Sequence, residues 1–247
     1  MTRIYLLGGV MIEAGGGLIR MADFPGRQGR LTFTVLAWER RQIARDQLAD
    51  ILWPDQPPDS WDTALNAIVS KLRKTLSTGS VEGVLDCSNG VYELRLPPGS
   101  WIDVQVAINA LDRAEGALRA ADFGAALSEA TVSSAILSRP ILSGETLPWV
   151  EARRRELADL YVRTLDCLCR AWLAKGDCHL AARAGRRMVN LAPYRESAYA
   201  ALMRCHLVAG NRAEALKVYS DLERLLEEEL GLSPGSDVEE LYVEALG

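Results

Sequence analysis

At 247 residues the chain exceeds the usual span of one domain, so two units, each with its own core, are expected. Apolar residues make up 49% and charged residues 25%, the balance of a globular chain, which excludes a disordered or collagen-like polymer. The net charge of −5 excludes a uniformly basic nucleic-acid binder: residues 1–100 carry 11 Lys+Arg against 11 Asp+Glu and the remainder 17 against 22, so any cationic footprint must be local.

From Arg3 to Met21 short apolar stretches alternate with glycines, and Gly15-Gly16-Gly17 is a turn signal between two strand candidates. The early apolar run lacks a cleavage pattern, and no later stretch approaches the length of a membrane span, which gives the expectation of a cytoplasmic protein without membrane partners. Neither LLGGV nor GRQGR has the spacing, or the following lysine, of a phosphate-cradling loop. GRLTFTVLAWERRQIARDQLADILWPD is helical in period up to Trp53, with a break at Glu39 to Arg45 and a second start at Asp46. Pro54 and Pro57-Pro58 then stop it.

PDSWDTALNAIVSKLRKTL follows, a turn and then a helix. On a 3.6-residue period Trp61, Leu65, Ile68, Val69, Leu72 and Leu76 share a sector roughly 100° wide, the core face of an amphipathic helix. The other side carries Thr63, Asn66, Ala67, Ser70 and Lys74, flanked by Lys71 and Arg73. Asp59 or Ser60 can cap its start, and Asp62 suits the positive end of the macrodipole. Short polar side chains with an alanine among them and cations toward one end suit a DNA major groove. Asn66 can pair with adenine, Ala67 can touch a thymine methyl, and Lys71, Arg73 and Lys74 can take phosphates or guanine. A solvated helix face is the competing reading.

VEGVLDCSNGVYELRLPPG then gives two short apolar runs joined across Ser88-Asn89-Gly90, a hairpin signal because both Asn and Gly tolerate positive φ. Strands, two helices, a tight connection, a third helix and a hairpin follow the order of a winged helix-turn-helix, closed by Pro97-Pro98-Gly99. Beyond Trp101 the texture is alanine- and leucine-rich. Gly176 and Gly210 lie 34 residues apart with Leu168 over Leu202 and Ala181 over Ala215, the period of tetratricopeptide (TPR) helix hairpins. A poorer copy surrounds Asp122. The fold class is therefore mainly α with a small β part: a winged helix over residues 1–99, then a TPR-like all-α bundle over 100–247. Such stacked hairpins leave a concave groove, which Arg183, Arg186 and Arg187 could line; a solvated face is the alternative for them, as for Glu227 to Glu229.

Five cysteines, an odd number in a chain of this size, read as free thiols. Cys178-His179 and Cys205-His206 could converge on a metal, but neighbouring helical residues point apart and tetrahedral sites use separated ligand pairs, so no metal is expected. There is no paired acid and base, no nucleophile elbow and no zinc-ligand spacing, and the two histidines both fall in the helical repeats. No catalytic residues, no cofactor and no enzyme activity are expected.

ARDQLADILWPDQPPDSWDTALNAIVSKLRKTL resembles the winged helix of the Streptomyces antibiotic regulatory protein family, itself related to OmpR-type DNA-binding domains. Leu52-Trp53 and Pro57-Pro58 match its helix end and turn, and Leu65, Val69, Ser70, Leu72, Arg73 and Leu76 match its recognition helix. LMRCHLVAGNRAEALKVYSDLERLLEEELGLSPGSDVEEL is similar to the family's bacterial transcriptional activation domain at Ala209-Gly210, Glu214-Ala215-Leu216, Tyr219, Glu229-Leu230-Gly231 and Pro234. Val91 stands where the family commonly has glycine before the wing tyrosine, and the tip lacks a basic residue. Asp103 keeps the family's opening aspartate, while SSAILSRPILSGETLPW only loosely follows the usual pattern.

The resemblance implies a transcription activator that binds repeated sites in double-stranded promoter DNA, contacts RNA polymerase and self-associates on those repeats. Arg40, Arg41 and Arg45 would then hold the DNA backbone, with Ser88 and Asn89 at the wing tip completing the DNA-contacting set. The competing class is a TPR-like interaction scaffold whose winged helix does not bind DNA.

Overall fold

The computed structural model describes the chain apart from Ser80, Glu82, Gly83, Asn89 and the side chain of Val84. It forms two compact units: Met1–Val106 with Arg139–Glu156, and Ala107–Ser138 with Leu157–Gly247.

The first unit opens with β1 (Arg3–Tyr5), β2 (Met11–Ala14) and β3 (Gly17–Ile19). That is one strand more than the glycine pattern suggests. Gly8 and Gly9, at φ 78° and 131°, end β1, whereas Gly15 and Gly16, at φ 54° and 83°, make the tight β2–β3 turn. β1 also pairs in parallel with the two-residue β7 (Trp101–Ile102), giving the order β3-β2-β1-β7.

α1 (Gly26–Glu39) ends where the sequence predicts a break, with Arg40 left-handed at φ 48°. The break itself holds a short strand, β4 (Ile43–Ala44), and α2 (Arg45–Leu52) follows. α3 (Trp61–Thr78) is the predicted helix, and β5 (Val84–Ser88) with β6 (Val91–Arg95) forms the hairpin. β4 joins that hairpin as a third strand, Ile43 opposite Tyr92, so the helix-turn-helix is tied to the hairpin at its turn. Between helices and sheet lie Phe33, Leu36, Leu48, Leu65, Leu72 and Tyr92, all at or below 1% exposure. At about 25 cal/mol per Å² of apolar surface removed from water, burying each of the Phe and Leu side chains stabilises the unit by roughly 1.5–3 kcal/mol before entropy is counted.

Two long-range features complete this unit. Asp103, fully buried at the start of α4 (Asp103–Arg119), accepts from the backbone N–H groups of Leu6 and Leu7 at 3.0 Å and of Val104 at 2.8 Å. Burial pushes its carboxyl above the ordinary aspartate range, while the three amides and Arg139 pull it back. The segment 139–156, sparse in family signal, folds onto the first unit: Gly8 N–H donates to Pro140 O, Arg27 clasps Glu145 at 2.7–2.8 Å, and Trp149 Nε1 donates to Glu39 at 3.1 Å. Trp38 and Trp149 meet edge to face, with the Arg153 guanidinium 5.8 Å from both rings.

The second unit is helical: most of α4, α5 (Phe123–Leu137), the greater part of α6 (Pro148–Ala174), α7 (Cys178–Leu191), α8 (Glu196–Val208), α9 (Arg212–Leu230) and α10 (Ser236–Leu246). The 34-residue repeat is visible in its turns. Gly176 and Gly210, at φ 81° and 74°, each precede a polar N-cap, and the Asp177 side chain accepts from Leu180 N–H at 2.9 Å. Near the poorer copy Ala121 takes the left-handed conformation and Asp122 caps α5 in the same way. Gly185 lets α7 approach α8 so closely that a Cβ there would sit 3.2 Å from Leu202 Cα. The pairings Leu168/Leu202 and Ala181/Ala215 thus mark stacked hairpins, with Ala181, Leu202 and Ala215 buried.

His206 on α8 is 7% exposed and its Nε2 is buried without a partner among the described residues. Burial lowers its pKa, opposed by Glu214 and reinforced by Arg186. Because folding favours the neutral ring, this contribution to stability is complete above the ordinary histidine pKa and is lost as pH falls through it. We expect the melting temperature to fall between about pH 7.5 and pH 5.5 more steeply in the wild type than in His206→Gln; parallel scanning-calorimetry profiles would refute this.

Candidate nucleic-acid interface

The buried face of α3 is Leu65, Ile68, Val69, Leu72 and Leu76, as the period requires. Its reverse is open: Thr63, Asn66, Ala67, Ser70, Lys71, Arg73 and Lys74 are all exposed. The side chains of Thr63, Asn66 and Ser70 make no hydrogen bond, and the Lys71 and Lys74 ammonium groups no ion pair, among the described residues. A slim polar ridge with two uncommitted cations therefore faces solvent, held by an apolar face that cannot rotate out.

The remaining predicted residues divide into exposed and committed ones. Arg73 Nε donates to Leu85 O at 2.9 Å, bracing α3 against the hairpin. Arg45 opens α2 and reaches the start of α3, where its guanidinium meets the Asp62 carboxylate at 2.5 Å and donates to Asp62 O at 2.9 Å. It is a clamp across the helix-turn-helix. Asp62, which the sequence suggests only for its helix-end position, is the acceptor. Arg40 is exposed, and Arg41 is exposed but leans on Glu39 at 3.2 Å. Beneath the clamp lies Tyr92, whose phenol burial pushes up and Arg45 pulls down.

At the wing, Ser88 is exposed and contacts Asp86 at 3.4 Å; Asn89 lies outside the described residues. Arg95 is held by Glu93 at 2.9 Å and by Asp86 at 3.1 Å, so among the described residues the hairpin presents no unpaired cation. One cation escapes the sequence reading altogether. Arg20 borders, with Lys74, Thr75 and Thr78, a cavity of about 480 Å³ at the end of α3. Fifty-four residues separate Arg20 from Lys74, and no local pattern signals that meeting.

No group of three His, Cys, Asp or Glu side chains that could hold a metal ion occurs among the described residues. Cys205 instead faces Cys169 across a buried Sγ–Sγ distance of 3.3 Å, and burial pushes the nearby Cys167 thiol up to about 12. A thiol raised by burial, as that of Cys167 is, acts as an inert packing group. Nor is any described helix long and apolar enough to cross a membrane.

A helix-turn-helix tied to a β-hairpin, joined to stacked helix hairpins, defines a two-part protein of the winged-helix class. Residues 102–246 match the family model described as the bacterial transcriptional activator domain. Regulatory protein AfsR of Streptomyces coelicolor is 30% identical over 216 residues, covering 87% of this chain and 21% of its own length. Transcriptional regulatory protein MoaR1 of Mycobacterium tuberculosis is 28% identical, covering 86% of this chain and 70% of its own. Mycobacterium tuberculosis EmbR, solved in complex with a low-affinity phosphopeptide, superposes with a TM-score of 0.87 at 22% identity, over 99% of this chain and 65% of that one. The likeness to EmbR shows the fold. The chain belongs to the Streptomyces antibiotic regulatory protein family of transcription activators and carries its bacterial transcriptional activator domain. It spans about a fifth of the length of the AfsR relative, 21%.

Proposed function

We propose that this chain is a sequence-specific activator that lays α3 in the major groove of promoter DNA and contacts RNA polymerase, working in the cytoplasm where both are found. The observation that carries the reading is the exposed ridge Thr63-Asn66-Ala67-Ser70, opposite a fully packed face and bordered by the unpaired Lys71 and Lys74. Asn66 supplies bidentate readout of adenine and Ala67 apolar contact with thymine, while Lys71, Lys74 and Arg40 hold phosphates. Arg45 and Arg73 act differently: bound to Asp62 and Leu85, they keep α3 at its angle. The hairpin, whose cation is internally paired, adds little charge, so affinity rests on few phosphates and is multiplied by self-association on repeated sites.

The test is titration of purified protein against fragments of the promoter next to its own gene. With about three to four phosphates neutralised, affinity should fall roughly forty- to a hundred-and-fiftyfold between about 50 and 200 mM salt. Asn66→Ala with Lys74→Ala should weaken binding at least about tenfold. A salt-insensitive shift, or unchanged affinity in the double variant, would leave the interaction scaffold as the better reading.

A further inference from the structure

The packing of β3 holds Arg20 beside the end of α3. β3 runs into the one-turn helix Met21–Asp23, and Ile19, 3% exposed, seats its side chain against Gly79, where a Cβ would collide with it. A Cβ on Gly17 would likewise stand 2.8 Å from Gly79 O. The Asp23 carboxylate accepts from Arg20 N–H at 2.8 Å, and Asp23 N–H donates to Arg20 O at 2.9 Å, closing the turn that carries the guanidinium.

The guanidinium itself is uncommitted. Arg20 is exposed, and its side chain makes no hydrogen bond or ion pair among the described residues. The cavity it shares with Lys74, Thr75 and Thr78 also has the Asp23 carboxylate on its wall. Two cations against one carboxylate leave this corner positive, although the charges of residues 1–100 cancel as a whole.

Helix geometry decides which side of the ridge the corner occupies. At about 100° per residue, Lys71, Thr75 and Thr78 lie about 140–160° round α3 from Arg73. Arg73 marks the flank turned to the hairpin, through its bond to Leu85 O. The cavity therefore borders the opposite flank, where Thr75 Oγ1 donates to Asp23 O at 3.4 Å. A helix seated in a major groove about 12 Å wide has a phosphate strand along each flank. On the hairpin side Arg73 and Arg95 are engaged internally, whereas on the other side Arg20, Lys71 and Lys74 have no ion pair among the described residues.

We infer that Arg20 is a DNA-backbone contact: with Lys71 and Lys74 it forms a row of cations along the flank of α3 away from the hairpin, and the cavity admits a phosphate between Arg20 and Lys74. The inference rests on the placing of α3 in the major groove and adds a fourth phosphate to those of Lys71, Lys74 and Arg40. A guanidinium suits the role, because its planar fork meets phosphate oxygens in pairs. The contact carries no base information and so acts on all sequences alike. The competing role, a counter-charge for the carbonyl end of α3, would show in stability and leave the salt dependence of binding unchanged.

The test titrates the full chain against the promoter fragment and a scrambled duplex of equal length, from about 50 to 200 mM salt. Each phosphate contact contributes about 0.9 to the slope of log affinity on log salt, so Arg20→Gln should move that slope from about −3.6 to about −2.7. It should weaken both duplexes by one common factor, about three- to tenfold at about 100 mM salt, at the wild-type melting temperature. Arg20→Lys should keep the wild-type slope. Asp23→Asn keeps an acceptor for Arg20 N–H but removes the carboxylate, and should tighten both duplexes about two- to threefold; it stands as the test if Arg20→Gln misfolds. Arg119→Gln, the same charge removed from an exposed position of the second unit, should leave slope and affinity unchanged. An Arg20→Gln slope within about 0.3 of the wild type, a loss confined to the promoter, weaker binding by Asp23→Asn, or an equal slope change in Arg119→Gln would each overturn the assignment. Wild-type protein without salt-sensitive binding would overturn it together with the placing of α3.

Discussion

Ala67→Glu should abolish measurable promoter binding, a loss of at least about a hundredfold, while leaving the fold unchanged. Ala67 is exposed at the middle of the α3 ridge, between Asn66 and Ser70 and one turn before Lys71. In the proposed complex a carboxylate there would be carried among phosphates and base-edge acceptors, unpaired, at the point of closest approach. Like-charge juxtaposition of this kind costs several kcal/mol. The helix itself loses nothing: glutamate is a strong helix former, and the new carboxylate would make a favourable i,i+4 pair with Lys71 worth about 0.3–0.5 kcal/mol. Exposed substitutions of this type stay within about ±0.5 kcal/mol of the parent, so the melting temperature separates interface from folding defects. Ala125→Glu, an exposed position on α5, adds the same charge and should bind as the wild type does. Promoter binding by Ala67→Glu within about threefold of the wild type would remove α3 from the interface.

That ridge was legible because two local signals coincide in one stretch. Leu65, Ile68, Val69, Leu72 and Leu76 repeat at helical spacing, so the residues opposite them had to be exposed whatever packed against the helix. The hairpin was legible through Asn-Gly chemistry, and the stacked hairpins through a 34-residue register whose glycines turn out to hold positive φ. What escaped has no local signature. β4 and β7 are two residues each, too short for a period, and exist because Ile43 meets Tyr92 and Ile102 meets Ile4. Side-chain commitments were equally hidden. Arg45, Arg73 and Lys74 read alike in sequence as cations near a recognition helix, but only Lys74 is uncommitted, since Asp62 and Leu85 O hold the other two. The return of residues 139–156 to the first unit depends on Arg27–Glu145 and Glu39–Trp149, pairs more than a hundred residues apart.

The same long-range logic gives Asp103 a large expected effect on stability. Asp103→Ala should destabilise the first unit by about 3–5 kcal/mol, the range for breaking a buried hydrogen-bonded charge. Both carboxylate oxygens are used: Leu6 N–H is shared between them, Leu7 N–H takes one and Val104 N–H the other. Leu6 and Leu7 are 0% and 2% exposed, so water cannot replace the lost acceptor, and each orphaned amide costs about 1–3 kcal/mol. Alanine also removes the negative charge from the start of α4. Asp103→Asn keeps one oxygen but turns an N–H₂ toward amides that need an acceptor, and should fall between wild type and alanine. Because β1 and the stretch through Leu7 are pinned by this one side chain, the loss should appear first as faster hydrogen exchange at Leu6 and Leu7, with α3 following only at global unfolding. Urea titration and amide exchange on the three proteins measure both parts. An alanine variant within about 1 kcal/mol of the parent would mean that the Leu6 and Leu7 amides find other acceptors, and that the hold on β1 rests on its pairing with β2 and β7 and on the segment Arg139–Glu156.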